Sequence, residues 1–176
     1  VGDEIVLDVP SRFGAGAAEE LRPRPKESLA SRVERGMSTQ ERIADLLGRV
    51  EFNDANGWGN DGPLWDRFAT DLASLAAPLA GSEKQVTWAT TLREKALRRI
   101  AQVLLTGRGL DAQDTAYRQK APNARAQQRE TERMALYARL LDSTNAKAWI
   151  DTRDSMSDAI GSVPDVLRNR MDDARF

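Results

Sequence analysis

Apolar residues recur every three or four positions through most of this chain and alternate only within its first ten residues. The clearest stretch is 81–107, GSEKQVTWATTLREKALRRIAQVLLTG. At about 100° per residue, Trp88, Ala89, Leu92, Ala96, Ile100 and Val103 fall on one stripe, with Glu83, Thr87, Thr91, Glu94, Arg98 and Gln102 opposite. Ser82, with Gln85 three residues later, has the form of a capping box. Gly107 suits the left-handed position that follows a helix. The pattern predicts one helix over 81–107 with Trp88 on its buried side. Three long polar residues intrude on that stripe: Gln85 projects with Leu92 and Val103, Arg99 lies between Trp88 and Leu92, and Arg93 lies at the edge. Such side chains lay their methylenes on apolar surface or satisfy the ends of neighbouring helices.

The remaining segments read as follows. Residues 27–35 suit a short helix ended by Gly36, and Ser38 opens a second capping box ahead of Ile43, Leu46, Leu47 and Val50. Residues 52–62, FNDANGWGNDG, form a loop whose Trp58 either folds back over the core or stands out as a contact. Its acids lack the spacing of a calcium-binding loop. Pro63 starts a helix with Leu64, Trp65, Phe68, Leu72, Leu75 and Leu79 inward, and Pro78 ends it. The short connection to 81–107 makes these two helices neighbours. Beyond Gly107 a short helix is expected within 111–120, broken at Pro122. A further helix over 123–141 keeps its apolar residues, Met134, Tyr137, Leu140 and Leu141, near its end. Ser143 or Thr144 caps the next, with Ala146, Trp149, Ile150 and Arg153 on its inner stripe and Gly161 ending it. Pro164 opens a last helix carrying Val166, Leu167 and Met171. Residues 1–10 are strand-like without a partner strand, and 11–26 hold two glycines and two prolines. The fold class is therefore all-α: a single helical bundle-like domain over 27–176, preceded by an extended N-terminal arm and linker over 1–26.

Composition removes several chemistries. The chain has no cysteine and no histidine, so disulfides, thiolate nucleophiles, histidine triads and His or Cys metal ligands are excluded. Asp151, Asp154 and Asp158 share a helix face, but Lys147 and Arg153 interleave them, as on a solvated surface. No nucleophile elbow, phosphate loop or dinucleotide fingerprint is present, so neither catalysis nor a cofactor is expected. No apolar run is long enough for a membrane span and no apolar signal segment is visible, which points to a cytoplasmic protein.

Charge changes the picture more. The formal net charge is −1, yet residues 83–139 carry +6 and residues 40–82 carry −4. Either the basic part is a surface for phosphate, or the acidic helices neutralise it. Lys84, Lys95 and Arg98 lie in the long helix, Arg118 and Lys120 follow it, and Arg125, Arg129 and Arg133 repeat every fourth residue as one ridge. Alanine and glutamine dominate that half of the 123–141 helix, so packing does not account for the ridge.

Two short pieces, GSEKQVTWATTLR at 81–93 and AKAWIDTR at 146–153, together resemble a motif pair found in uncharacterised phage, plasmid and integrated-element proteins. The residues that carry it are Gln85, Trp88, Arg93, Trp149, Asp151 and Arg153. The resemblance implies a mobile-element setting and no specific activity. Each half places a Trp and an Arg on an apolar stripe, so the halves are expected to pack on each other. The leading expectation is a non-enzymatic accessory or regulatory protein that binds nucleic acid through its basic middle. The alternative is a protein-interaction module or inhibitor acting on a host or element protein.

Overall fold

The structure, a computed structural model, describes residues 36–118 and 123–176. The arm, the linker, the helix expected over 27–35, and Lys120 lie outside the described residues. Among the described residues there are seven α-helices: α1 Thr39–Gly48, α2 Gly62–Leu75, α3 Glu83–Arg118, α4 Ala124–Asp142, α5 Ala146–Asp151, α6 Met156–Gly161 and α7 Pro164–Ala174. A 3₁₀ segment, Asp54–Gly59, joins α1 to α2, and among the described residues the only strand-like feature is a single parallel bridge between Ala80 and Asn145. The all-α reading holds for the described residues.

The caps explain where most helices begin. Ser38 accepts from the Glu41 N–H, and Glu41 accepts from the Ser38 N–H at 2.7 Å, so both halves of the capping box form. That donation, with a second from the Ser38 hydroxyl, holds the Glu41 carboxyl below its ordinary value. Asp61 caps α2 ahead of Pro63, Asn123 caps α4, and Asn145 caps α5 through the Ala148 N–H. The last corrects the expectation of Ser143 or Thr144. An amide oxygen at the position just before the first turn displaces both hydroxyls.

The long helix does not stop at Gly107. It runs unbroken to Arg118 and absorbs the short helix expected over 111–120. A glycine inside a helix is disfavoured by only about 1 kcal/mol relative to alanine, which packing readily outweighs. The packing here is specific: a Cβ at Gly109 would lie 1.4 Å from the Trp58 carbonyl oxygen, and one at Gly59 would lie 2.3 Å from that of Leu105. Bare backbone on both sides lets the 3₁₀ segment lie directly on α3. Trp58 itself takes a left-handed conformation, φ 52°, after a left-handed Gly57. Its indole N–H donates to Asp54 at 2.7 Å and its ring meets Tyr117 edge-on at 5.5 Å.

The core is one cluster around α3. Ala89, Ala96, Leu97, Ile100, Ala101, Leu104 and Leu105 are its buried residues before Gly109. They meet Phe68 and Leu72 of α2, Ile43 and Leu47 of α1, Tyr137, Leu140 and Leu141 of α4, and Trp149, Ile160, Leu167 and Met171 from the C-terminal helices. All buried residues of α4 lie from Met134 onward, as its composition predicted. Where one helix was expected up to Gly161, the chain makes two, α5 and α6, separated by a turn at Thr152 whose hydroxyl donates back to the Ala148 carbonyl. Of the apolar residues of α7, Leu167 and Met171 are buried and Val166 is exposed.

Candidate nucleic-acid interface

The two motif halves are joined at their starts. The Ala80 N–H donates to the Thr144 carbonyl at 2.6 Å, and the Ala146 N–H donates to the Ala80 carbonyl at 3.3 Å. A Cβ on Gly81 would sit 3.3 Å from Ala146 Cβ and 3.1 Å from Gln85 Oε1, so glycine lets the two segments close up. Gln85 is drawn back to this corner, accepting from the Ser82 N–H at 3.0 Å, and is exposed. Its inward projection is thereby corrected: completing the cap outweighs following the stripe. Arg93 donates to the Ala77 carbonyl at 2.6 Å, just past the end of α2, as expected of an arginine at a stripe's edge. Burial lowers its guanidinium pKa, opposed by Glu94.

The paired tryptophans part company here. Trp149 is 2% exposed and packs edge-on against Phe176 at 5.0 Å. Trp88 is 47% exposed, which corrects its assignment to the buried stripe. The small Ala89 faces the core in its place. Arg153 also leaves the interior. Its guanidinium lies 5.8 Å from the Trp88 ring centroid, and it donates to the Ile150 carbonyl at 3.1 Å. The halves do pack on each other, but their outer contact is an arginine over a half-exposed indole. Asp151 is ion-paired with Lys147 on the surface, and Asp154 lies 3.4 Å from Arg153.

The basic residues separate into three groups. Lys84, Lys95 and Arg98 are exposed on one face of α3, within about 40° of Lys84 by helical spacing, and Trp88 and Thr91 share that face. Glu83 and Glu94 lie about 100° and 80° from Lys84 by helical spacing, so Glu94 borders this face beside Arg98. Arg98 meets Asp66 at 2.5 Å and stands over the Trp65 ring at 5.6 Å, a pairing from α2 that sequence spacing does not reveal. Arg118 is paired with Asp114 one turn back, at 3.2 Å, about 30 Å along the helix from Arg98. The ridge on α4 is broken. Arg125 and Arg129 are exposed and, among the described residues, have no ion-pair partner. Arg133 instead donates to the Ser162 carbonyl at 3.1 Å.

Arg133 belongs to a structural cluster that sequence spacing does not reveal. The end of α6 receives Arg133 at Ser162 and the Tyr137 hydroxyl at the Ile160 carbonyl, 2.9 Å. Arg99 rests on Gly161, where a Cβ would be 2.5 Å from its guanidinium. Burial pushes the Tyr137 hydroxyl up to about 12 against the opposing pull of Arg133 and Arg99, so it stays a neutral donor. The signal in the sequence is Gly161 itself, which reads there only as a helix end. Among the described residues, no three acids gather as metal ligands, and no helix is long and apolar enough to cross a membrane. Comparison with protein-family models, curated proteins and solved structures found no match.

Proposed function

We propose that the chain binds nucleic acid with unpaired bases through the outer face of α3, acting as an accessory rather than a catalytic protein. The observation that carries this reading is Trp88, half exposed beneath Arg153 and set between Lys84 and Lys95 on the outer face of α3. A flat aromatic surface accepts any base, and flanking cations accept the phosphates on either side, which is how sequence-tolerant single-strand binding is built. From Lys84 to Arg98 the stripe runs about 21 Å, enough for a few nucleotides. Lys84 and Lys95 have no ion-pair partner among the described residues, whereas Arg98 is already engaged by Asp66. The mobile-element setting implied by the motif pair is part of the same proposal and concerns context, not chemistry.

The test is a fluorescence-anisotropy titration of a short single-stranded oligonucleotide at several salt concentrations. The Lys84→Glu/Lys95→Glu variant should bind more weakly, and the slope of log affinity against log salt should shrink by about 0.7 for each phosphate that the variant no longer neutralises. An Arg125→Glu/Arg129→Glu variant should bind like the parent. Absence of binding by the parent at low salt, or loss confined to the Arg125/Arg129 variant, overturns the assignment to α3.

A further inference from the structure

A hollow of about 280 Å³ opens between α3, the first half of α4 and the turn ahead of α7. It lies on a different side of α3 from the Lys84–Trp88 stripe. Val103 and Leu110 of α3 and Val163 of the turn form its apolar wall; Leu110 is 59% exposed and Val163 53%. Single exposed aliphatic residues are ordinary, but two facing the same hollow form a patch. No aromatic side chain lines it, so it offers nothing for a base to stack on.

The rim supplies a charge preference. Arg129 lines the hollow, exposed and without an acid among the described residues, and Arg125 stands one turn away on the same ridge. Arg133 also lines it. One of its guanidinium nitrogens serves Ser162, while its Nε is buried with no hydrogen-bond partner among the described residues. Glu130 is offset by Arg108, whose Nε lies 2.7 Å from it at an angle unsuited to a hydrogen bond. With Arg108 counted, the rim carries three arginines against two acids, Glu130 and Asp111, a net of one positive charge.

We propose that this hollow is a docking site for a peptide segment of another protein, one that sets an aliphatic or aromatic side chain against Leu110, Val103 and Val163 and a neighbouring carboxylate on Arg129. An apolar anchor beside a charge-assisted hydrogen bond is a common form of peptide recognition. Its use is independent of the nucleic-acid surface, so either can stand without the other.

The experiment is selection from a displayed random-peptide library against the full chain, then anisotropy titration of the enriched peptide made synthetically. Enriched sequences should pair a large apolar residue with Asp or Glu. Leu110→Asp and Arg129→Glu should each weaken the selected peptide at least tenfold, while Lys84→Glu/Lys95→Glu leaves its affinity unchanged. Changing the peptide's acid to lysine should restore binding to Arg129→Glu. Circular dichroism checks both variants; should Leu110→Asp unfold, Arg129→Glu and its rescue decide. No enrichment, enriched peptides without acids, or an affinity that Arg129→Glu does not move overturns the proposal.

Discussion

Trp149→Ala is expected to destabilise the protein by about 3–5 kcal/mol, and Trp88→Ala by less than about 1 kcal/mol, in urea denaturation followed by circular dichroism. The two tryptophans hold matching places in the motif halves, so their sequence context alone assigns them equal weight. Their surroundings do not. Trp149 is fully buried in the central cluster and loses an edge-on partner in Phe176 when truncated. Among the described residues its indole N–H has no hydrogen-bond partner, so the loss is one of packing within the core cluster. Trp88 already has nearly half its surface in water, and alanine there leaves no enclosed void. Equal effects for the two variants would mean that Trp88 is buried in solution and the stripe reading correct after all.

Gly109→Ala is expected to destabilise by about 1–3 kcal/mol or more, the range for overpacking a tight contact. Gly107→Ala, two residues earlier on the same helix, is expected to stabilise by about 0.5–1 kcal/mol. The intrinsic gain from replacing helical glycine is the same at both sites; what differs is the neighbour. A methyl at Gly107 meets nothing within 4 Å. At Gly109 it meets the Trp58 carbonyl oxygen at 1.4 Å and the carbonyl carbon at 2.4 Å, which are backbone atoms and have no rotamer to change. Trp58 sits in a left-handed conformation that few residues tolerate, so the 3₁₀ segment has little freedom to move aside and must lift from α3. Faster proteolysis between Asn53 and Asn60 in the Gly109 variant should accompany the lower melting temperature. A Gly109→Ala protein as stable as the parent would contradict the direct seating of this loop on α3.

Much of the fold was legible because its signals are local. The Ser38–Glu41 box, the Ser82–Gln85 box, Pro63 and Pro164 all sit where sequence spacing predicts helix starts. What spacing could not show were contacts made by backbone. Gly107 reads as a helix end and nothing in the spacing singles out Gly109, yet the first is open to solvent inside the helix and the second is a seat for Trp58. Stripe geometry likewise ranks Trp88 and Ala89 together, yet Ala89 is fully buried and Trp88 half exposed. The same holds for the candidate interface. Lys84, Lys95 and Arg98 were visible as cations of the long helix, but Arg98's engagement by Asp66 and the withdrawal of Arg133 to the end of α6 depend on residues far away in sequence. Arg153 over Trp88 was foreshadowed only by the resemblance that linked the two halves.

The claim that Trp88 is the base-stacking centre of a single-strand surface is tested most directly by the oligonucleotide affinities of Trp88→Ala and Trp88→Phe at one low salt concentration. Stacking on an aromatic ring is worth about 1–3 kcal/mol per base, so Trp88→Ala should lose roughly fivefold to over a hundredfold in affinity. Trp88→Phe should keep much of it, and both proteins should melt close to the parent. A folded Trp88→Ala protein that binds the oligonucleotide as tightly as the parent would contradict the account.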